Sequence, residues 1–291
     1  IKISFNDLPY WFQEKAIFLS TYEKKKFVNN FCKEPDIHIV FKNEDSLNQF
    51  EEKLIKTSKI SGFLLDKKNI KTKKSFLKGS WWVQDFCSFL PLYNFEVKTK
   101  NKNFLDACAA PGGKSFQLLS KKINVVLNDK NKTRIKTLIS NLNRLNLRAK
   151  ILNEDFTKFS SKKRYDVIII DAPCSAVGTI RKNPEIFFKN SSPNFDELIS
   201  LQEKMLERAS ILLNKNGYII YMTCSFLKIE TTDQIAKFLK KNNNFIISDF
   251  KQEKVSNYSK LIKNDFMLTI PNKILNYSID GYFASYLKKI K

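Results

Sequence analysis

A chain of 291 residues can bury the core of one full domain and a smaller one. Its 51 Lys and Arg against 29 Asp and Glu leave a net charge of +22, which points to a polyanionic partner, most simply nucleic acid. Five Cys without a CxxC pair, no recognisable secretory leader and no apolar run near the ~20 residues that span a bilayer fit a reducing cytoplasm and exclude membrane spans and disulfide scaffolds.

In chain order, residues 1–35 read as helical and aromatic, carrying Trp11, Phe12, Phe18, Phe27 and Phe31. A strand over 36–41, an amphipathic helix over 44–56 and a strand over 60–65 follow. Residues 67–78 form a lysine-rich connector, read as a solvated loop or an RNA contact. Gly79-Ser80-Trp81-Trp82-Val83-Gln84-Asp85 leads into an apolar helix over 86–93. From about residue 98 the rhythm becomes strand, loop, helix. Strands are expected at 104–107, 124–128, just before Asn153, and at 166–170, 218–222, 245–248 and 282–287. Helices are expected at 114–120, 132–145, 195–213 and 230–239. This alternation predicts an α/β fold with an open, mostly parallel sheet, organised as residues 1–97 and residues 98–291.

The chemistry concentrates at strand ends. Asp106-Ala107-Cys108-Ala109-Ala110-Pro111-Gly112-Gly113-Lys114 has the form of a ligand loop, with two of only seven Gly placed together after a strand. It is neither GxGxxG nor GxxxxGK[ST], so a dinucleotide fingerprint and a Walker loop are unsupported. Lys114 opens a helix, the end a cation disfavours, which argues for a ligand-facing role. Asp129 ends the next strand, either to hold ribose hydroxyls or simply to face solvent. Asp155 follows a third strand and reads as an adenine acceptor or a turn residue. Cys174, in Asp171-Ala172-Pro173-Cys174-Ser175, and Cys224, in Tyr221-Met222-Thr223-Cys224-Ser225, each follow a buried strand, so two thiols 50 positions apart (224 minus 174) can meet in one pocket.

Cys32, Cys87 and Cys108 read as packing thiols. His38 is the only histidine, so Cys–His and Ser–His–Asp chemistry are disfavoured, and no metal is expected. The choice of Lys over Arg, with 6 Arg among 51 basic residues, fits AT-rich codon usage; the excess over acids is less easily explained that way.

Together, Asp106 to Lys114, Asp171 to Ser175 with Gly178 and Arg181-Lys182-Asn183-Pro184-Glu185, and Thr223-Cys224-Ser225 resemble the RNA cytosine-5 methyltransferase family. The closest likeness is to its bacterial RsmB-type members, which act on small-subunit ribosomal RNA. The likeness covers about residues 5–291, including Gly79 to Asp85 and Asp280-Gly281-Tyr282-Phe283-Ala284. Asn183 departs from the His of the family's Arg-Arg-His-Pro-Asp stretch, which bears on substrate more than on reaction type.

The resemblance implies a Rossmann-like class I methyltransferase sheet, an RRM-like N-terminal domain and S-adenosylmethionine as cofactor. Cys108, Ala109, Ala110, Pro111, Gly112, Gly113 and Lys114 would cradle its methionine part, Asp129 its ribose and Asp155 its adenine. Asp171 would lie near the transferred methyl, with Lys114 in the catalytic set. Cys224 would add to carbon 6 of cytosine, and Cys174 would assist release. The expected partner is RNA, foremost 16S rRNA, and the expected state a cytoplasmic monomer. The chain starts at Ile1, where the family's NusB-like domain would end. Rival readings are the same chemistry on tRNA, DNA cytosine-5 methylation with Cys174 as nucleophile, and a non-catalytic ribosome-assembly factor.

Overall fold

Two sheets organise the molecule, a computed structural model that describes residues 3–96, 101–188, 191–250, 258, 261–263 and 265–291. Helices α1 (Tyr10–Lys15) and α2 (Thr21–Phe31) come first. Ser20 and Glu23 form a reciprocal capping box at the start of α2. Then follow β1 (Ile37–Phe41), α3 (Glu44–Asn48), β2 (Leu54–Ser58), β3 (Ser61–Leu64), α4 (Lys74–Leu77), β4 (Trp81–Val83) and α5 (Phe86–Asn94). The strands pair antiparallel in the order β2-β3-β1-β4, a β-α-β-β-α-β succession.

The helix expected over 44–56 is corrected here: it ends at Asn48, and residues 54–58 form a strand. Leu47, Phe50 and Leu54 have helical spacing, but pairing of Ile55 with Phe63 offers the backbone a sheet partner that a longer helix would forgo. The connector over 67–78 is not a plain solvated loop. Lys73 bridges Glu52 at 2.6 Å and Asp66 at 2.9 Å, and Phe76 lies edge-on to buried Trp81.

The second region supplies β5 (Phe104–Asp106), α6 (Gly113–Ser120), β6 (Val125–Asn128), α7 (Lys132–Arg144), β7 (Lys150–Leu152), β8 (Tyr165–Asp171), α8 (Glu185–Phe188), α9 (Phe195–Leu212), β9 (Leu213–Thr223) and α10 (Thr232–Lys241). It ends with β10 (Phe245–Ser248), β11 (Ile262–Lys263), β12 (Phe266–Thr269), β13 (Asn272–Ile274), β14 (Tyr277–Ile279) and β15 (Tyr282–Lys289). Among the described residues the large sheet has nine strands, ordered β7-β6-β5-β8-β9-β15-β12-β11, with β10 also on β15. β7 to β9 run parallel, and β15 antiparallel beside β9.

Val167, Ile168, Ile169 and Ile170 are wholly buried, as a strand covered on both faces requires. On α7, Ile135, Leu138 and Leu142 face the core, while Ile139, one helical turn from Ile135, is 42% exposed. The strands β11 to β14 were not expected; at two to four residues each they are too short for a period-2 pattern to mark them in the sequence. From β5 the chain runs one way to β6 and β7 and later the other way to β8 and β9, opening a crevice at the carboxyl ends of β5 and β8.

The two regions share a core. Trp82, Phe86 and Phe89 cluster with Phe104, Phe116 and Leu138, while Phe12 and Phe27 of the first helices pack on Phe187 and Phe226 beside the active-side loops. The expected boundary between 97 and 98 lies outside the described residues.

Candidate active site

The loop between β5 and α6 is held from below by Asp106, whose carboxylate accepts from the Cys108 amide at 3.3 Å and the Ser115 hydroxyl at 2.6 Å. Burial pushes Asp106 up to about 6, with Ser115 opposing and Asp171 reinforcing. The Ala109 amide bonds the Asn128 carbonyl at 2.8 Å. Gly112 has φ +120°, in the region that favours glycine, and a Cβ there would stand 2.0 Å from the Phe116 ring. At Gly113 a Cβ would have 3.5 Å to Gln84, so only the first Gly is sterically required.

Lys114 turns away from its helix start. Its Nζ meets Asp171 Oδ2 at 2.7 Å, an ion pair that offsets the unfavourable dipole end. Tyr282 donates its hydroxyl to Asp171 Oδ1 at 3.0 Å. Asp171 ends β8 in register with Met222, and the Ala172 amide bonds the Met222 carbonyl at 2.9 Å. The loops after β8 and β9 therefore leave the sheet side by side, and the Cys174 and Cys224 sulfurs lie 3.3 Å apart. The neighbouring Cys224 thiol and burial push Cys174 up; burial does the same at Cys108.

A cavity of about 240 Å³ opens here, walled by residues 108–114, Asp171, Cys224 and Tyr282. Gln84, Asp85 and Ser88, around the start of α5, also line it, as do Thr179, Lys182 and Asp280. The last two belong to an ion cluster: Arg181 pairs with Asp280 at 2.6 Å, and Lys182 bridges Asp280 at 2.5 Å and Asp85 at 3.3 Å. Burial, aided by Asp85, raises Asp280. At Asp85, burial is outweighed by Lys182 and Arg181, and its carboxyl is lowered.

Asp129 and Asp155 are not among the cavity walls. They follow β6 and β7 on the carboxyl edge, where the Asn153 side-chain amide donates to the Asp129 carbonyl at 2.8 Å and the Lys130 carbonyl at 3.0 Å. Asp129 faces inward, accepting from the amides of Ala110 at 3.1 Å and Asn131 at 2.8 Å. Asp155 accepts from Lys130 at 2.8 Å and from the Thr157 amide, contacts that hold its carboxyl down at about 2. Of the packing thiols, Cys87 is buried, whereas Cys32 is exposed at the end of α2.

The sequence motifs already contained Gln84, Asp85, Lys182, Asp280 and Tyr282 without a role for any of them. Ser88 and Glu230 were missed entirely. Glu230 is fully buried, 0% exposed, in a single turn after Cys224. A lone acid at a helix start carries no signal for burial.

A sheet of this order with a glycine-cornered loop at its switch point defines a Rossmann-like methyltransferase. Residues 95–288 match the model of the 16S rRNA methyltransferase RsmB/F family, and the chain belongs to that family. It is 36% identical over 177 residues to ribosomal RNA small subunit methyltransferase B of Shewanella oneidensis, covering 59% of this chain and 41% of that protein. With the protein of the same name from Photorhabdus laumondii it shares 37% over 147 residues, 49% of this chain and 34% of the other. The chain thus spans less than half the length of these curated relatives. Among solved structures, that of PH0851 superposes with a TM-score of 0.83 at 25% identity, covering 98% of this chain and 67% of the other. NSun6 from Pyrococcus horikoshii with SFG has the same fold, with a TM-score of 0.80 at 17% identity over 97% of this chain and 98% of that one.

Proposed function

We propose that this protein is an S-adenosylmethionine-dependent RNA cytosine-5 methyltransferase acting on 16S rRNA. The observation that carries the reading is the 3.3 Å contact of two thiols on neighbouring strand ends, one of them in the same cavity as the glycine-cornered loop. The residues fit the cofactor: the turn at Gly112 leaves bare backbone where a side chain would collide with Phe116. In this reading Cys108 to Lys114 hold the methionine part, Asp129 the ribose and Asp155 the adenine. When bound, the cofactor supplies an electrophilic methyl group.

Carbon 5 of cytosine is a poor nucleophile. Cys224, as thiolate, forms a bond to carbon 6 and moves the electron pair to carbon 5, which can then take the methyl. Cys174, having first lost its own proton, then accepts the carbon-5 proton as thiolate; the C–H electron pair restores the carbon 5–carbon 6 double bond, the carbon–sulfur bond breaks, and Cys224 leaves as thiolate. Asp171, fixed between Lys114 and Tyr282, borders the region of transfer. The net charge of +22 and the β-α-β-β-α-β sheet over the cavity support an RNA substrate.

Bisulfite sequencing of 16S rRNA and tRNA incubated with the protein and S-adenosylmethionine is expected to reveal a newly protected cytosine in the rRNA. Protection in tRNA alone would move the substrate, and protection in neither would end the reading. On denaturing gels, Cys174→Ala is expected to accumulate a protein–RNA species, and Cys224→Ala to form none and lose methylation. The reverse pattern would exchange the roles of the two thiols.

A further inference from the structure

Neither thiol is held by its own strand alone. Cys174 lies in a loop, and its neighbour Ser175 is gripped by Glu230, six positions beyond Cys224 (230 minus 224). Glu230 Oε1 accepts from the Ser175 amide at 2.7 Å, and Oε2 from the Ser175 hydroxyl at 2.5 Å. Gln202 of α9 donates to the same Oε1 at 3.4 Å and to the Pro173 carbonyl at 2.9 Å. It is itself held by Gln234 of α10, whose amide donates to Gln202 Oε1 at 3.0 Å. The Glu230 backbone is fixed too, its carbonyl accepting the Tyr221 hydroxyl at 2.9 Å.

We propose that Glu230 is the positioning residue that keeps Cys174 and Cys224 in contact. It ties the segment that follows one thiol to the segment that follows the other. The chemistry of the contact explains why the residue is an acid. Ser175 presents two donors, an N–H and an O–H, and a carboxylate offers an acceptor oxygen to each. Glutamine would keep an acceptor for only one of them and turn an NH₂ toward the other, so that the Ser175 hydroxyl would have to reverse from donating to accepting. A fully buried carboxylate held by hydroxyl and amide donors is costly, and simple loop packing does not require one. What the carboxylate adds is a fixed distance and angle between two loops, the quantity on which a two-thiol mechanism depends.

This deepens the proposed reaction, but its test needs neither RNA nor methyl donor. Diamide oxidises two thiols in contact to a disulfide, taking both hydrogens to become the hydrazine. With the full chain, peptide mapping is expected to find the Cys174–Cys224 disulfide forming rapidly. Glu230→Gln is expected to slow it on the order of tenfold, the scale at which misplacement by about an ångström affects reacting groups. Ser175→Ala, which removes only the hydroxyl contact, is expected to slow it by a smaller factor. Phe41→Leu, a core change in the small sheet whose cluster holds none of these residues, controls for general loosening and is expected to leave the rate as in the wild type. Wild-type rates in Glu230→Gln, or equal slowing in Phe41→Leu, would overturn the proposal. If Glu230→Gln does not fold, Ser175→Ala decides alone: slower supports the tie, unchanged rejects it. Failure of methylation in the wild type would reject the reaction while leaving the diamide result standing.

Discussion

The two sides of the cavity are built in opposite ways. The glycine-loop side comes from one contiguous stretch, Asp106 to Ser115, which closes on itself through the Asp106 carboxylate. The thiol side is assembled from segments far apart in the chain: the loops after β8 and β9, Glu230, and Asp280 to Tyr282. Its close approach depends on a pair of glycines. The Gly178 amide bonds the Cys224 carbonyl at 3.0 Å, and the Gly281 amide bonds the Gly178 carbonyl at 2.8 Å. Outside Gly112 the contiguous loop leaves room for a side chain, as at Gly113, whereas the convergent side brings backbone against backbone.

The largest expected effect follows from that contrast. A Cβ on Gly178 would stand 2.0 Å from the Gly281 carbonyl oxygen and 2.8 Å from the Cys224 carbonyl oxygen, both backbone atoms that cannot rotate away. Gly178→Ala is expected to cost about 3 kcal/mol or more in urea unfolding. Gly113→Ala, with 3.5 Å to the Gln84 side chain, is expected to stay within about 0.5 kcal/mol of wild type. Equal losses at the two positions would erase the distinction between the sides.

A smaller effect is expected on the loop side, where Asp129 supports the Ala110 amide from the next strand end. Asp129→Ala is expected to weaken S-adenosylmethionine binding by about 1.5–3 kcal/mol in calorimetry, through lost charge-assisted hydrogen bonds. Unchanged affinity would remove Asp129 from the site.

The same contrast decides what could be read before the structure. The loop from Asp106 to Lys114 was legible because every part of it is adjacent in sequence and Gly is rare in this chain. The two thiols were legible because each follows a buried strand, and parallel strands open on one edge. Glu230, Ser88 and the pairing of Arg181 with Asp280, 99 positions away, were not legible, since nothing local marks a side chain whose partner is distant. The fold shows the same division. The parallel strands, continuous runs such as Val167 to Ile170, were recognisable, whereas β2 was mistaken for helix because Leu47, Phe50 and Leu54 have helical spacing across the break between α3 and β2. The strands β11 to β14 gain their identity only from pairing with β15 and with each other.

The smallest expected effect concerns charge, and it sets two acids of this edge in opposition. Asp106 is buried and pushed up to about 6 from an unfolded value of 3.8, so between those values the folded state holds a proton that the unfolded state has lost. Stability from this group is therefore fully present below about pH 4 and is lost as pH rises through 6. Asp155, held down at about 2 by Lys130 and Thr157, has the opposite sign: its contribution is present above about pH 4 and is lost as pH falls through 2. Of these two acids only Asp106 changes its contribution appreciably from pH 4 to 6; Asp280, raised likewise, titrates there in wild type and variants alike and drops out of the comparison. Asp106→Asn keeps the shape of the side chain and removes the titration. Urea midpoints are expected to show wild type losing stability relative to Asp106→Asn between those pH values, by on the order of 2 kcal/mol for a buried group. Asp155→Asn is expected to run parallel to wild type across the same window. If the Asp106→Asn and wild-type curves also run parallel, Asp106 is ionised in the fold throughout, and its contact with Ser115 outweighs its burial.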